Sequence, residues 1–416
     1  MAETKEILEI NNFISIHHIK WEFKKFNIIT GDMGAGKSLC IKLLKFFEDI
    51  IPSLLLLPHD YFIQQLNMYQ FFESLKNKFT EIFIFSALDS ERQPQFTINY
   101  EFSFEKETFS ITISGRSKDD IRIESSYLGN MLAEWNTYIQ KKKSSYLDTI
   151  TPDGFEEAKR SLYADILKKF GGHFPAATIF IPASRAALAF GSNYNDSYLR
   201  DYKALVDVLP QFGNRGQEII NTILKAKIKI NGSLYLESKD GRQVPIASAS
   251  SGQQEIVYVL MLLDKLGNFY YSYGKNQSLF IEEPSAHLFP QEQKQTIELI
   301  VRLYNELKNT ERAVRFFITT HSPYVLNSLN NILTKGALLK KYPEQEKKIN
   351  DASNIPYLYA DEISACFITA EGTGETMLDT DKNYLNADKI HKISYDIDEE
   401  TITLSELNNE LLGEKE

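Results

Sequence analysis

Gly31-Asp32-Met33-Gly34-Ala35-Gly36-Lys37-Ser38 is the stretch of this 416-residue sequence that decides the fold. It has the pattern GxxxxGK[ST], in which glycines let backbone N–H groups wrap around phosphate oxygens. The residues before it, Phe26 to Thr30, have the pattern of a strand that runs into the glycine-rich turn. The residues after it, Ser38 to Glu48, have the apolar spacing of a helix. The order of strand, glycine loop and helix predicts a phosphate site at the start of that helix, where the positive end of the helix dipole lies.

The loop motif predicts different roles for its last two residues. We expect Lys37 to bind the β- and γ-phosphates of a nucleotide, and the hydroxyl of Ser38 to bind Mg²⁺. The candidate nucleotide-binding residues of this segment are Gly31, Asp32, Met33, Gly34, Ala35, Gly36, Lys37, Ser38 and Leu39.

A second segment, Ser278 to Pro284, is an apolar strand that ends in two adjacent carboxylates. Ligands of open α/β folds bind at this carboxyl edge of the sheet. Adjacent strand residues point in opposite directions, so the two acids have different tasks. Glu282 suits the Mg²⁺ shell and Glu283 suits polarising an attacking water.

Two further segments follow the same logic. Ser250-Ser251-Gly252-Gln253-Gln254-Glu255 opens a helix and exposes backbone donors to an anion, although ordinary helix capping would be the better explanation if the segment stood alone. Thr319-Thr320-His321-Ser322-Pro323 follows the apolar strand Val314 to Ile318. A lone histidine is usually structural, but at the carboxyl end of a strand beside the other motifs His321 is a candidate catalytic residue.

The rest of the chain predicts a mixed architecture. A strand is expected at Phe13 to Ile16, and alternation from Gln95 to Ile123 predicts an antiparallel meander. Helix-forming sequence runs from about Leu128 to Phe170, where the run Lys141 to Lys143 is best explained as a solvated helix face. The other predicted elements are a buried strand at Ala177 to Pro182, helices at Tyr198 to Leu209 and Gln217 to Lys227, a hairpin at Asn231-Gly232, helices at Gln253 to Leu266 and Gln291 to Leu307, and a loosely held acidic end from Glu399 to Glu416.

Composition limits the class of protein. Hydrophobic residues make up 43% and aromatic residues 12%, as in folded globular proteins, and the net charge is −10. That charge does not indicate nucleic-acid binding, although DNA remains a possible partner through a local basic groove. Two distant cysteines, Cys40 and Cys366, fit a reducing compartment. With neither a signal peptide nor a membrane span in the pattern, we expect a cytoplasmic protein without a membrane partner.

Taken in order, the glycine loop, SSGQQE, FIEEPSAHL and TTHSP resemble the Walker A, signature, Walker B with D-loop, and H-loop motifs of ABC-type ATPases in the SMC and OLD-like branch. The resemblance implies an α/β P-loop NTPase fold: an ABC-type ATPase head with an antiparallel β subdomain and a helical insertion. It also implies an ATPase, with ATP and Mg²⁺ as cofactors. Two copies would close around ATP, with Ser251, Gly252 and Gln253 of one copy capping the nucleotide of the other.

The same resemblance assigns roles to individual residues. His321 would contact the γ-phosphate and attacking water, and Ser285 to Leu288 would form the subunit-crossing D-loop. The catalytic set is then Glu283, His321 and Lys37, and the metal set is Ser38 and Glu282. Glu282 stands where many relatives have aspartate, so we expect slow turnover. Arg185, in a phrase common in OLD-like ATPases, is either a phosphate contact or part of a salt bridge at the edge of the core.

The expected domains are a Walker A lobe with the meander (1–127), a helical insertion (128–176) and a lobe with the signature, Walker B and H-loop (177–416). OLD nucleases add a TOPRIM domain. Here Glu371 and Asp379 with Asp381 mimic its acids but lie too close together, and a hairpin near Gly372-Thr373-Gly374 is the better interpretation.

Three functions remain open on sequence. The first is a nucleotide-gated scaffold or sensor, resembling the stand-alone ATPase of anti-phage systems of the PARIS type first and the Septu type second. It would form a dimer or higher homo-oligomer and control a separate effector, such as a TOPRIM-type nuclease or a toxin. The second is a DNA-acting repair or recombination ATPase, and the third is a sensor that binds ATP without hydrolysing it.

Overall fold

The structure, a computed structural model, describes residues 4–56, 68–83, 94–142, 151–170, 177–190, 217–231, 233–265, 276–308 and 314–413. Within these ranges the strands are β1 (Thr4–Phe13), β2 (Ile16–Glu22), β3 (Phe26–Gly31), β4 (Phe96–Phe104), β5 (Glu107–Gly115), β6 (Arg122–Glu124), β7 (Ala177–Ile181), β8 (Lys227–Asn231), β9 (Ser233–Glu237), β10 (Gln243–Pro245), β11 (Gln277–Glu282), β12 (Val314–Thr319), β13 (Ile363–Ile368), β14 (Gly374–Thr376), β15 (Leu378–Asp379) and β16 (Tyr384–Leu385).

The helices of the same ranges are α1 (Lys37–Glu48), α2 (Ile50–Leu56), α3 (Met68–Ile82), α4 (Ser126–Lys142), α5 (Pro152–Lys169), α6 (Gln217–Leu224), α7 (Ser251–Lys265), α8 (Pro290–Leu307), α9 (Pro323–Lys341), α10 (Glu346–Ala352) and α11 (Asp388–Gly413). Short 3-10 helices occur at Ala183–Phe190, Ile246–Ser248 and Pro343–Gln345.

A six-stranded sheet with the order β14-β13-β3-β12-β11-β7 forms the centre of the fold. Its strands are parallel except β14, which pairs antiparallel with β13. β3, which carries the glycine loop, lies between β12 and β13, although these strands come late in the chain. The carboxyl ends of β3, β12 and β11 therefore lie side by side, as ligand sites of parallel sheets require.

Two hydrophobic cores cover the two faces of this sheet. The first joins α1 and the Phe180, Phe280 and Phe317 face of the sheet to the antiparallel sheet β2-β1-β4-β5-β6 and to α4 and α5. The second joins the Ile181, Ile281 face of the sheet to α6, α7, α8 and α9. The glycine-loop helix α1 and the SSGQQE helix α7 thus pack on opposite faces of one sheet.

Most predicted elements are confirmed, and one expectation is wrong. Phe13 to Ile16 is the turn between β1 and β2, where Ile14 has a positive φ of 55°. The turn resembled a strand because Phe13 and Ile16, on either side of it, are both fully buried. The acidic end is helical through residue 413 as part of α11, and its side chains from residue 395 to residue 407 are exposed.

The hairpins are at the expected places. β13 and β14 pair around Gly372, and β8 pairs with β9 with Asn231 opposite Ser233. The predicted helix Tyr198 to Leu209, Lys143, Gly232 and the last three residues lie outside the described ranges.

Candidate functional site

The glycine loop is shaped by backbone conformations that glycine adopts without strain. Gly36 has φ 105° and is the N-cap of α1, and a Cβ there would come within 2.8 Å of the Ile16 side chain. Met33 at the loop tip is 94% exposed and Ser38 is also exposed, whereas Leu39 is half-buried. The loop therefore presents its backbone and Ser38 to solvent at the N-terminus of α1, the geometry of an anion site.

Lys37 folds back over the loop. Its Nζ donates to the carbonyl oxygens of Gly31 at 3.0 Å and Asp32 at 2.7 Å. Burial lowers the pKa of Lys37, while the Glu283 and Asp32 carboxylates act in the opposite direction. The ammonium is thus held beside the loop by two carbonyl acceptors that a phosphate can replace.

Glu282 faces the α1 side of the sheet. It follows Phe280 by two residues in β11, so its side chain lies on the same face as Phe280, which packs in the first core together with α1. Its Oε2 accepts from the backbone N–H of Ala183 at 2.9 Å, and its buried Oε1 has no hydrogen-bond partner among the described residues. A buried carboxylate oxygen without a donor fits a cation or a cation-bound water, the Mg²⁺ role expected of Glu282.

Glu283 leaves the sheet in a strained conformation. Its φ is 44°, in the left-handed region that non-glycine residues rarely occupy. Its N–H lies 3.1 Å from the carbonyl oxygen and 3.2 Å from the hydroxyl of Thr319, at the end of the neighbouring strand β12. These contacts turn the side chain towards the H-loop segment.

The Glu283 carboxylate lies against His321. Oε2 accepts from the backbone N–H of His321 at 3.2 Å, and Oε1 lies 3.3 Å from His321 Nε2. Burial raises the pKa of Glu283, and the charges of His321, Lys37 and Arg185 oppose that shift. The structure therefore brings together the three predicted catalytic residues, Glu283, His321 and Lys37, as one electrostatically linked group.

The SSGQQE segment forms a capped helix start. Gln253 Oε1 accepts from the Ser250 N–H at 3.2 Å and Gln253 Nε2 donates to Leu224 O at 2.8 Å, so the side chain of Gln253 serves the cap. Ser251 is exposed, and Gly252 is buried against the D-loop. A Cβ on Gly252 would lie 2.7 Å from the carbonyl oxygen of His287, so this position requires glycine.

Arg185 has the second of its two predicted roles. It is fully buried, and its guanidinium bonds to backbone carbonyls and pairs with Glu255 at 3.3 Å. These contacts leave the guanidinium facing away from solvent, and direct phosphate contact is the wrong alternative.

Sequence reasoning missed two participants, Thr319 and Glu255. Both lie inside quoted motifs, TTHSP and SSGQQE, but their tasks depend on which strand neighbours which, and that order is not local in sequence.

Other searches of the described ranges are negative. Within them, no cluster of three or more His, Cys, Asp or Glu residues is arranged to hold a metal ion. None of the helices there is long and apolar enough to cross a membrane.

Comparison with protein families matches residues 189–326 to the AAA ATPase domain family. This range contains Ser251, Glu283 and His321 and does not contain Lys37. Comparison with curated proteins finds no significant match.

Among solved structures, the SMC head domain from Thermotoga maritima is similar at 13% identity and a TM-score of 0.35, over 78% of this chain and 92% of that one. The recombination mediator protein RecF with ATPrS is similar at 12% identity and a TM-score of 0.33, over 90% of this chain and 98% of that one. A bacterial Atm1-family ABC exporter with ATP bound is similar at 10% identity and a TM-score of 0.28, over 90% of this chain and 38% of that one.

The parallel sheet with the glycine loop, together with the match to the AAA ATPase domain family, fits the expected P-loop NTPase fold, mixed α/β with antiparallel sheets.

Proposed function

We propose that the protein hydrolyses ATP between two copies of itself and uses the nucleotide state to control a separate effector in cytoplasmic anti-phage defence. The observation that carries the ATPase part is the contact of the Glu283 carboxylate with His321 at the edge of the sheet where Lys37 closes the glycine loop. In this proposal Glu283 accepts a proton from the attacking water, and the N–H of His321 holds the carboxylate in place.

The remaining residues bind and orient. Lys37 exchanges its carbonyl partners for phosphate oxygens, while Ser38 and Glu282 hold Mg²⁺, which neutralises phosphate charge when bound. Ser251 and the N-terminus of α7 cap the nucleotide of the second copy.

The test separates binding from hydrolysis. We expect Glu283→Gln to lower kcat on the order of 10²- to 10⁴-fold and to retain ATP, because only the base is lost. Lys37→Ala should lose ATP binding itself. Steady-state phosphate release measures hydrolysis, and an equilibrium ATP-binding assay measures binding. Wild-type turnover by Glu283→Gln would refute the role of the base.

The scaffold role is supported by α11. Along this acidic helix the side chains of Tyr395, Ile397, Ile402, Leu404 and Leu407 are each at least 48% exposed, an unusual number of solvated apolar groups for one helix. We propose that the effector, of the nuclease or toxin kind, docks there.

Removal of residues 395–416 tests this docking. These side chains are exposed as far as residue 407, so the truncated protein should keep its ATPase activity and lose protection against phage in cells that carry the neighbouring genes. Lys37→Ala should lose both. Full protection by the truncated chain would contradict docking on α11. Strong stimulation of the wild-type ATPase by DNA ends would instead favour the DNA-acting alternative.

A further inference from the structure

Arg185 donates four hydrogen bonds to backbone carbonyls and forms one ion pair. Nε donates to Glu255 O at 3.0 Å, and Nη1 donates to Pro182 O at 3.0 Å and Glu282 O at 2.7 Å. Nη2 donates to Glu283 O at 2.7 Å and pairs with Glu255 Oε2 at 3.3 Å. A guanidinium presents its donors in a fixed planar fork, and here four hydrogen bonds and one ion pair connect it to three separate segments.

These segments are the parts of the site that must act together. Pro182 follows β7, Glu282 and Glu283 are the two Walker B acids, and Glu255 lies in the first turns of α7, one turn after Ser251. The side chain is fully buried, so the connection passes through protein rather than solvent.

The Glu283 carbonyl is the most informative of these acceptors. A left-handed φ at a non-glycine residue costs about 1–3 kcal/mol and persists only where neighbouring groups fix it. The N–H of Glu283 is fixed by Thr319 and its carbonyl by Arg185. The bond from Arg185 to the Glu283 carbonyl therefore helps to hold the backbone conformation that directs the Glu283 carboxylate towards His321.

Helix α7 has a second contact with the same region. Gly252 packs directly on the backbone of His287 in the D-loop. The start of α7, the D-loop and the Walker B acids thus form one connected unit, with Arg185 at its centre.

We propose that Arg185 is a positioning residue that couples the capping end of α7 to the Glu283 carboxylate of the same chain. The inference rests on the proposed function, in which α7 caps the nucleotide of the second copy. When α7 contacts the nucleotide of the second copy, the contact then moves or fixes Glu283, the base that acts on the nucleotide bound by the same chain as α7. The two sites of a dimer would therefore act together.

The experiment compares Arg185→Lys and Arg185→Met with Arg315→Lys. Arg315 is another largely buried arginine, paired with Glu6 and Glu48 at the opposite end of β12, so its variant controls for loss of a buried guanidinium. Lysine has three donors on one atom and cannot span three segments. We expect Arg185→Lys to lower kcat on the order of 10- to 100-fold with little change in KM.

The kcat of the folded protein distinguishes positioning from folding. Loss of folding lowers the measured kcat in proportion to the folded fraction, whereas loss of positioning lowers the kcat of fully folded protein. Arg185→Met should lower kcat more than Arg185→Lys does, with little change in KM in either variant. Arg315→Lys should keep the kcat of its folded fraction even if its melting temperature falls. Arg185 variants whose activity loss only follows their folded fraction would overturn the proposal.

Glu255→Gln tests the coupling with Arg185 left in place. It removes the ion pair to α7 but none of the bonds to the Walker B carbonyls. We expect kcat to fall by about fivefold or more, although Glu255 touches no catalytic group. Arg185 Nε keeps its bond to the Glu255 carbonyl in this variant, so the ion pair is tested by itself. Wild-type kcat would overturn coupling through that ion pair, also if Arg185 variants do not fold. Failure of wild type to dimerise with ATP would contradict the proposed function instead, and this is measured separately by light scattering.

Discussion

At the scale of single residues, the Glu283 side chain makes a prediction about pH. Burial raises its pKa above the ordinary 4.5 of a glutamate, and the interactions with His321, Lys37 and Arg185 only partly oppose the shift. A general base works deprotonated, so kcat should fall as pH is lowered, with an apparent pKa above 4.5. A pH–rate profile of kcat at saturating ATP measures it. Activity that stays constant down to pH 4.5 would contradict this assignment of the base.

At the scale of elements, a buried charge cluster joins the antiparallel sheet to the central one. Arg315 of β12 pairs with Glu6 of β1 and with Glu48 of α1 at 3.0 Å, and it donates to Ser278 Oγ at 2.9 Å. Tyr100 of β4 donates to Glu6 at 2.7 Å. One arginine thus faces two carboxylates, and complete burial raises the pKa of Glu48 from 4.5 to about 8.

The sign of the resulting pH effect follows directly. A carboxyl group whose pKa is higher in the folded state adds stability that is complete below its unfolded pKa of 4.5 and is lost as pH rises through about 8. Glu48→Gln mimics the protonated form, so it should remove this loss, and its melting temperature should exceed that of wild type at pH 9. Melting curves between pH 5 and 9 test this. A variant that is less stable than wild type at pH 9 would show that the ionised Glu48 stabilises the folded state, which contradicts a raised pKa.

The elements that sequence predicted well are those with a local signal. The glycine loop, the strand before it and the helix after it are encoded within Phe26 to Glu48, and the Walker B strand is a short apolar run with a sharp end. The conformation of Glu283 and the partners of Arg185 were not predictable, because they depend on β7, β11, β12 and α7 meeting in space. The turn at residues 13–16 was predicted as a strand for a related reason. The residues on either side of it are apolar because they are buried in a core whose other members are distant in sequence.

At the scale of the whole molecule, α1 and α7 pack on opposite faces of the central sheet. Lys37 belongs to the helix in the first core, and Ser251 begins the helix in the second. Gly252, next to Ser251, packs closely on the His287 backbone in the D-loop. In the proposed dimer, the Ser251 of a second copy would cap the nucleotide held by Lys37.

This arrangement predicts the behaviour of Ser251→Arg in the Glu283→Gln background, where ATP is retained. Ser251 is exposed, so the substitution should leave the fold intact, and the bulky side chain should block the contact between copies. We expect ATP to convert Glu283→Gln into a dimer by light scattering and to leave the double variant monomeric, with ATP still bound. Lys37→Ala in the same background should be monomeric without bound ATP, so the pair separates loss of capping from loss of the phosphate site. Normal ATP-dependent dimerisation of the Ser251→Arg variant would mean that the copies meet through another surface and that the cap lies elsewhere.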